Sequence, residues 1–184
     1  MGADGLAAAG GGVTLRSVCL HGPESTGKST IGPRLARHFG SPYVPEYGRT
    51  YAEKHGTDFT MADLIAIAEG HDRAARAAVA GGPWPVILDT DPLMTAAWAT
   101  MLFGRQDPWF GTWTGTADLY LFLDTDLPWV EDGTRLFGTA PERARFRAAA
   151  MAELVRRDLP FVVVRGQGRA RYDAALAAVE AALA

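Results

Sequence analysis

The 184-residue sequence has a single cysteine, Cys19, so no disulfide can close within the chain. That usage suits a reducing compartment and leads us to expect a cytoplasmic protein. No apolar run approaches the roughly 18 residues of a membrane-spanning helix, so no membrane partner is expected. Charge of neither sign dominates: 18 basic side chains face 21 acidic ones. Without a broad basic surface no nucleic-acid partner is expected, and an anionic ligand would have to be held by local features. The opening stretch, residues 1–12, is Gly- and Ala-rich but lacks the basic start and apolar core of a signal peptide. Leu6 breaks the myristoylation pattern. Residues 1–12 are expected to be a disordered tail, and 13–184 one domain. No internal repeat, sensing module or oligomerisation module is evident, and no Asn-Lys-x-Asp guanine motif occurs.

What is present centres on Gly22-Pro23-Glu24-Ser25-Thr26-Gly27-Lys28-Ser29, which meets the phosphate-loop pattern at every fixed position. Its glycines allow backbone N–H groups to turn inward around phosphate oxygens. Lys28 would reach the β- and γ-phosphates, and the Ser29 hydroxyl would ligate Mg²⁺. The motif needs a strand before it and a helix after it. Residues 14–20 are β-rich and mostly apolar, and 29–39 carry Ile31, Leu35 and Phe39 at helical spacing. Pro33 should kink or loosen the second turn of that helix.

Further along, residues 41–45 read as a short strand, with Glu46-Tyr47-Gly48-Arg49 at its C-terminal end, where ligands bind in open parallel sheets. Glu46 and Arg49 are thereby placed to face a substrate; the alternative is a solvated charged turn. Thr60 and Asp63 form a capping-box pattern, opening a helix to about Val79 in which His71 reads as structural rather than chemical. Val86-Ile87-Leu88 is a buried-strand run closed by Asp89-Thr90-Asp91. An acid at that point after a phosphate loop is placed to organise Mg²⁺. Asp89 is the first choice and Asp91 the second, Asp91 being alternatively the cap of a helix from Pro92 to Phe103. The aromatic stretch from Gly104 to Thr116 either covers a flat ligand or anchors a long loop. A strand over 118–123, an arginine-rich helix over 141–157, a last strand over 161–164, a loop at Gly166–Arg169 and a helix over 172–183 complete the pattern. The arginines of the long helix read as a solvated face paired with Glu142 and Glu153, and Arg135 before it as the better phosphate contact. Strands alternating with helices predict an α/β fold, a parallel sheet covered on both faces.

A phosphate loop alone leaves kinase, ATPase motor and switch GTPase open. The absent guanine motif disfavours the last, and the chain is short for a motor. A small kinase fits best, with Glu46 as base, Ser29 and Asp89 at the metal, and Lys28 and Arg135 on the moving charge.

The segments His21-Gly-Pro-Glu-Ser-Thr-Gly-Lys-Ser-Thr30, Tyr43-Val-Pro-Glu-Tyr-Gly-Arg-Thr-Tyr51, Glu69-Gly-His71, Leu88-Asp-Thr-Asp91 and Pro128-Trp-Val-Glu-Asp-Gly-Thr-Arg135, in that order and spacing, resemble the ribosylnicotinamide kinase domain of the bifunctional NAD-biosynthesis regulator (NadR-like) family. The similarity runs from about Leu15 to the C-terminus. It implies a P-loop NTPase fold like that of nucleoside and nucleoside-monophosphate kinases, built on a five-stranded parallel sheet. It also implies ATP-dependent phosphorylation of the 5′-hydroxyl of nicotinamide riboside, a small-molecule substrate, to nicotinamide mononucleotide. By position, Gly22 to Thr30 would hold the ATP phosphates, with Glu46, Tyr47 and Arg49 at the riboside pocket. Asp89 and Asp91 would serve metal and substrate, and Asp132 and Arg135 the lid. The Gly166 to Arg171 loop, Gly168 included, would lie near adenine. Tyr47, Trp98, Trp109 and Trp113 are candidates for a wall against the cationic pyridinium. The family's full-length members carry further domains upstream. With twelve residues before the first strand, this chain is expected to be a stand-alone kinase, so neither adenylyl transfer nor DNA-binding repression is carried over. Phosphorylation of another nucleoside or metabolite, or ATP binding without turnover, are the alternatives.

Overall fold

The computed structural model describes residues 14–131 and 135–184. The expected tail, residues 1–12, and Asp132 lie outside the described residues. Five strands form one sheet in the order β2-β3-β1-β4-β5, every neighbouring pair parallel. They are β1 (Ser17–His21), β2 (Tyr43–Val44), β3 (Val86–Asp89), β4 (Leu119–Leu123) and β5 (Phe161–Val164). The three central strands are buried along their whole length, which is why they read as continuous apolar runs rather than alternating ones.

Each face has its own core. On one, Val18, Leu20, Ile87, Leu121 and Leu123 meet Ile31 and Leu35 of α1 (Lys28–Phe39) and Ala175 and Val179 of α7 (Gly168–Leu183). On the other, Cys19, Leu88, Tyr120 and Phe122 meet α4 (Pro92–Phe103) and α6 (Ala140–Arg156) through Leu93, Ala97, Phe146 and Leu154. A third cluster joins α4 to α3 (Met61–Gly81) and to Phe110 of the short α5 (Pro108–Thr112). The sequence-predicted α/β sheet with helices on both faces is the observed architecture.

The differences are local. A helix, α2 (Tyr47–His55), starts after β2 with two residues between them, and the sequence pattern did not announce it. α3 opens on the expected capping box, Thr60 N donating to Asp63 Oδ2 at 2.7 Å and Asp63 N to Thr60 Oγ1 at 3.3 Å. α1 runs unbroken through Pro33. Its neighbour Gly32 has a packing reason: a Cβ there would lie 2.5 Å from Tyr43 Cε2 and 2.9 Å from Leu20 Cδ1. In the aromatic stretch, Phe110 and Trp113 are buried, so those rings anchor the connection to the core. α7 starts at Gly168, four residues earlier than expected. Arg147 pairs with Asp124 at 2.5 Å, and Arg143 donates to the Thr125 and Leu127 carbonyls. Arg143 and Arg147 thus have partners in the β4–α6 connection, whereas Glu142 caps its own helix and Glu153 pairs with Arg156.

Candidate active site

The site lies at the C-terminal edge of the sheet, where β1 turns into α1. Gly22 has φ +139°, and a Cβ there would lie 2.5 Å from the Leu123 carbonyl oxygen, so no other residue fits. Gly27, at φ +87°, is the N-cap of α1. Between them Thr26 Oγ1 donates to the Pro23 carbonyl at 2.8 Å. Arg171, buried in the first turn of α7, donates to the Thr26 carbonyl at 3.0 Å and pairs with Asp126 at 2.5 Å. The loop is therefore held open by its own bonds, with the N-terminus of α1 behind it, the geometry that binds anions. Lys28 Nζ donates to the Gly22 and Pro23 carbonyls at 2.7 and 2.8 Å, which keeps the ammonium at the mouth of the loop.

A cleft opens beside this loop. Gly22, Glu24 to Thr30, Glu46, Arg49 and Arg135 supply its polar lining, and Phe59, Leu64, Ile67, Met94 and Trp98 its apolar lining; Met94 Sδ accepts from Gly22 N at 3.4 Å. Ser29 and Thr30 are exposed on the first turn of α1. Glu46 sits at the N-cap of α2. Its carboxyl is pushed above the ordinary glutamate range by burial, pulled back by the Lys28 ammonium, and pushed up again by Asp89. Asp89 ends β3, almost wholly buried and not itself lining the cleft, though close enough for its charge to act on Glu46; Tyr43 donates to its Oδ2 at 2.7 Å, while its Oδ1 has no hydrogen-bond partner.

Other expected residues sit elsewhere. Asp91 is turned into the core, where it caps α4 through Leu93 N at 2.9 Å, as its capping reading has it, and also accepts from Tyr120 Oη at 2.5 Å. Asp91, Cys19 and His21 form a buried group whose ligand atoms lie within 4.8 Å of one another, off the cleft. Tyr47 packs its ring over Gly70, where a Cβ would come within 2.4 Å of it. Of the four rings named for the wall, Trp98 is the one lining the cleft. Gly168 begins α7 and does not line it.

Three residues were not read as functional. Thr90, between the two acids, lines the cleft at φ +72°, a strained conformation for a β-branched residue. His71 also lines it; its Nδ1 accepts from Tyr47 N at 3.4 Å, and burial holds the imidazole neutral. Phe59 lines the cleft too. Leu64, Ile67 and His71 recur at helical spacing on α3, a signal that reveals an inward stripe but not that part of it faces a cleft.

The parallel sheet, its strand order and the loop between β1 and α1 define a P-loop NTPase fold of the nucleoside-kinase kind. Thymidylate kinase from Ehrlichia chaffeensis shares that fold, with a TM-score of 0.68, 11% identity, and coverage of 92% of this chain and 99% of that one. Residues 17–171 match the family model described as AAA domain, and the chain belongs to that family. It is similar to the trifunctional NAD biosynthesis/regulator protein NadR of Salmonella typhimurium (strain LT2), 32% identical over 165 residues, 86% of this chain and 40% of that protein. It therefore spans well under half the length of that relative. Among solved structures, NadR in complex with NR superposes with a TM-score of 0.78 at 26% identity, over 91% of this chain and 50% of the other. NadR in complex with NAD and AMP-PNP gives 0.73 at 25%, over 91% and 49%.

Proposed function

We propose that this protein is an ATP-dependent kinase that phosphorylates the 5′-hydroxyl of nicotinamide riboside, giving nicotinamide mononucleotide and ADP. One observation carries the reading: an anion-binding loop with its lysine and a carboxyl of raised pKa share one cleft, which Phe59, Leu64, Ile67 and Trp98 also line. The similarity to NadR, and the NR and AMP-PNP held by its solved structures, support it.

In this reading residues 22–30 cradle the ATP phosphates and Lys28 exchanges its loop carbonyls for phosphate oxygens. Glu46 accepts the proton of the attacking hydroxyl as the new O–P bond forms and the bond to the β-phosphate oxygen breaks. Arg135 and Lys28 stabilise the charge passing through the transferred group. The Ser29 hydroxyl and Asp89 Oδ1 would hold Mg²⁺, both being oxygen donors of the kind it takes, and the unpartnered buried Oδ1 is what the fit rests on. Bound there, Mg²⁺ would neutralise charge on the β- and γ-phosphate oxygens. Trp98 supplies a face for the pyridinium ring, and Arg49 lies beside Glu46 at the riboside. The protein would act on this small molecule in the cytoplasm; among the described residues no helix is long and apolar enough to cross a membrane.

The test is transfer of radiolabelled phosphate from γ-labelled ATP across a panel of nucleosides. Nicotinamide riboside is expected to be the best acceptor. Preferred transfer to another nucleoside would overturn the substrate, and ATP binding with no transfer to any acceptor would overturn the kinase.

A further inference from the structure

Glu24 occupies a variable position of the phosphate loop and lines the cleft, yet its hydrogen bonds run to a distant segment of the chain. Its Oε2 accepts from two consecutive amides, Leu136 N at 3.2 Å and Phe137 N at 3.3 Å. Beside it, Ser25 Oγ accepts from Arg135 Nη1 at 2.9 Å and from Val130 N at 3.1 Å. A carboxylate facing a triphosphate would be repelled by it; here the acid is instead spent on the backbone of the segment that carries Arg135. The next ring, Phe137, packs on Trp98 with centroids 5.3 Å apart and on Phe146 at 5.5 Å. Residues 135–137 are thus tied at one end to the phosphate loop and at the other to Trp98, which lines the cleft.

We propose that Glu24 is a positioning residue: it fixes the 135–137 backbone so that the Arg135 guanidinium is presented to the transferred phosphate, and it makes no phosphate contact itself. The inference rests on the kinase reading for its catalytic consequence, but the tie between Glu24 and residues 136–137 is independent of the acceptor. Ser25 holds the guanidinium side and Glu24 the main-chain side of the same segment, so losing Glu24 leaves Arg135 present but misaimed.

Two sets of measurements on the full chain test it. Amide hydrogen exchange at Leu136 and Phe137, without nucleotide, is expected to accelerate in Glu24→Ala and much less in Glu24→Gln, which keeps an accepting oxygen. Unchanged exchange overturns the proposal, whichever nucleoside is phosphorylated. In steady-state kinetics Glu24→Ala is expected to lower kcat on the order of 10²-fold, the scale of a misplaced catalytic group. The Kd for AMP-PNP should move by no more than about threefold, since the loop amides and Lys28 that bind phosphate remain. Added to Arg135→Ala, Glu24→Ala should cost little more, because both act through one guanidinium. Equal losses in kcat and AMP-PNP affinity, or losses that multiply in the double variant, would overturn the proposal. A wild-type protein that does not phosphorylate nicotinamide riboside but shows the exchange difference refutes the substrate assignment and leaves the tie in place.

Discussion

The Tyr43 hydroxyl donates to Asp89 Oδ2 at 2.7 Å, from β2 at the sheet edge to the last residue of β3. This bond fixes which carboxylate oxygen remains for a ligand. It depends on Gly32, because the Tyr43 ring lies where a side chain at position 32 would be. A residue of α1 thereby sets the orientation of a carboxylate on β3, the strand next to β1, from which the phosphate loop springs.

Tyr43→Phe is expected to lower kcat and to destabilise the fold by about 1–3 kcal/mol, the cost of leaving a buried acceptor unsatisfied. Gly32→Ala should do both as well, by displacing the ring. Urea denaturation and initial rates on the two variants check this. Unaltered turnover in Tyr43→Phe would mean that Asp89 is oriented by something else.

Glu46→Gln is expected to reduce kcat by roughly 10²–10⁴-fold, the usual range for a lost general base, with AMP-PNP affinity nearly unchanged. Burial and Asp89 raise the Glu46 carboxyl, with Lys28 opposing. The acid limb of the wild-type rate profile should therefore lie at higher pH than an ordinary glutamate would give, activity falling as the pH drops through it. That limb should vanish in Glu46→Gln. Equal losses in rate and nucleotide affinity would show Glu46 to be structural.

The core pair His21 and Asp91 predicts a pH signature in stability. Burial raises the Asp91 carboxyl from 3.8 to about 6, so the native state holds the extra proton and this contribution is lost as pH rises from about 4 to about 6. Burial lowers His21 from 6.5 to about 3, so its contribution is lost as pH falls from about 6.5 towards 3. Between pH 4 and 6 the two slopes oppose, and wild-type stability should be nearly flat. Asp91→Asn removes one slope, worth about 3 kcal/mol for a shift of about two units. Its stability should climb with pH over that interval in urea titrations. A climb in the wild type equal to that of the variant would refute the Asp91 shift.

The phosphate loop was legible because its chemistry is local: two glycines, a lysine and a hydroxyl within eight residues, between an apolar run and a helical stripe. The capping box of α3 was legible for the same reason. α2 was not, since its sequence, YGRTYAEKH, buries only Ala52. That helix is held by tertiary partners, the Tyr51 hydroxyl donating to Asp63 on α3 at 2.7 Å, and no propensity or stripe announces it. The aromatic stretch showed that rings were concentrated there, but whether they face a ligand or the core depends on α3 and α4 beneath them.

By itself the sequence determined the class of fold and the anion-binding loop, because strand burial and backbone freedom are written in residue type and spacing. Only the tertiary structure decided where the two acids go. Asp89 and Asp91 are two residues apart in one short motif, and the turn at Thr90 sends one to Tyr43 beside the cleft and the other to Tyr120 in the core. It also decided what Glu24 does, since the amides that Glu24 binds lie 112 and 113 residues further along the chain. Contacts at that separation are set by how the layers pack, and local pattern carries no record of them.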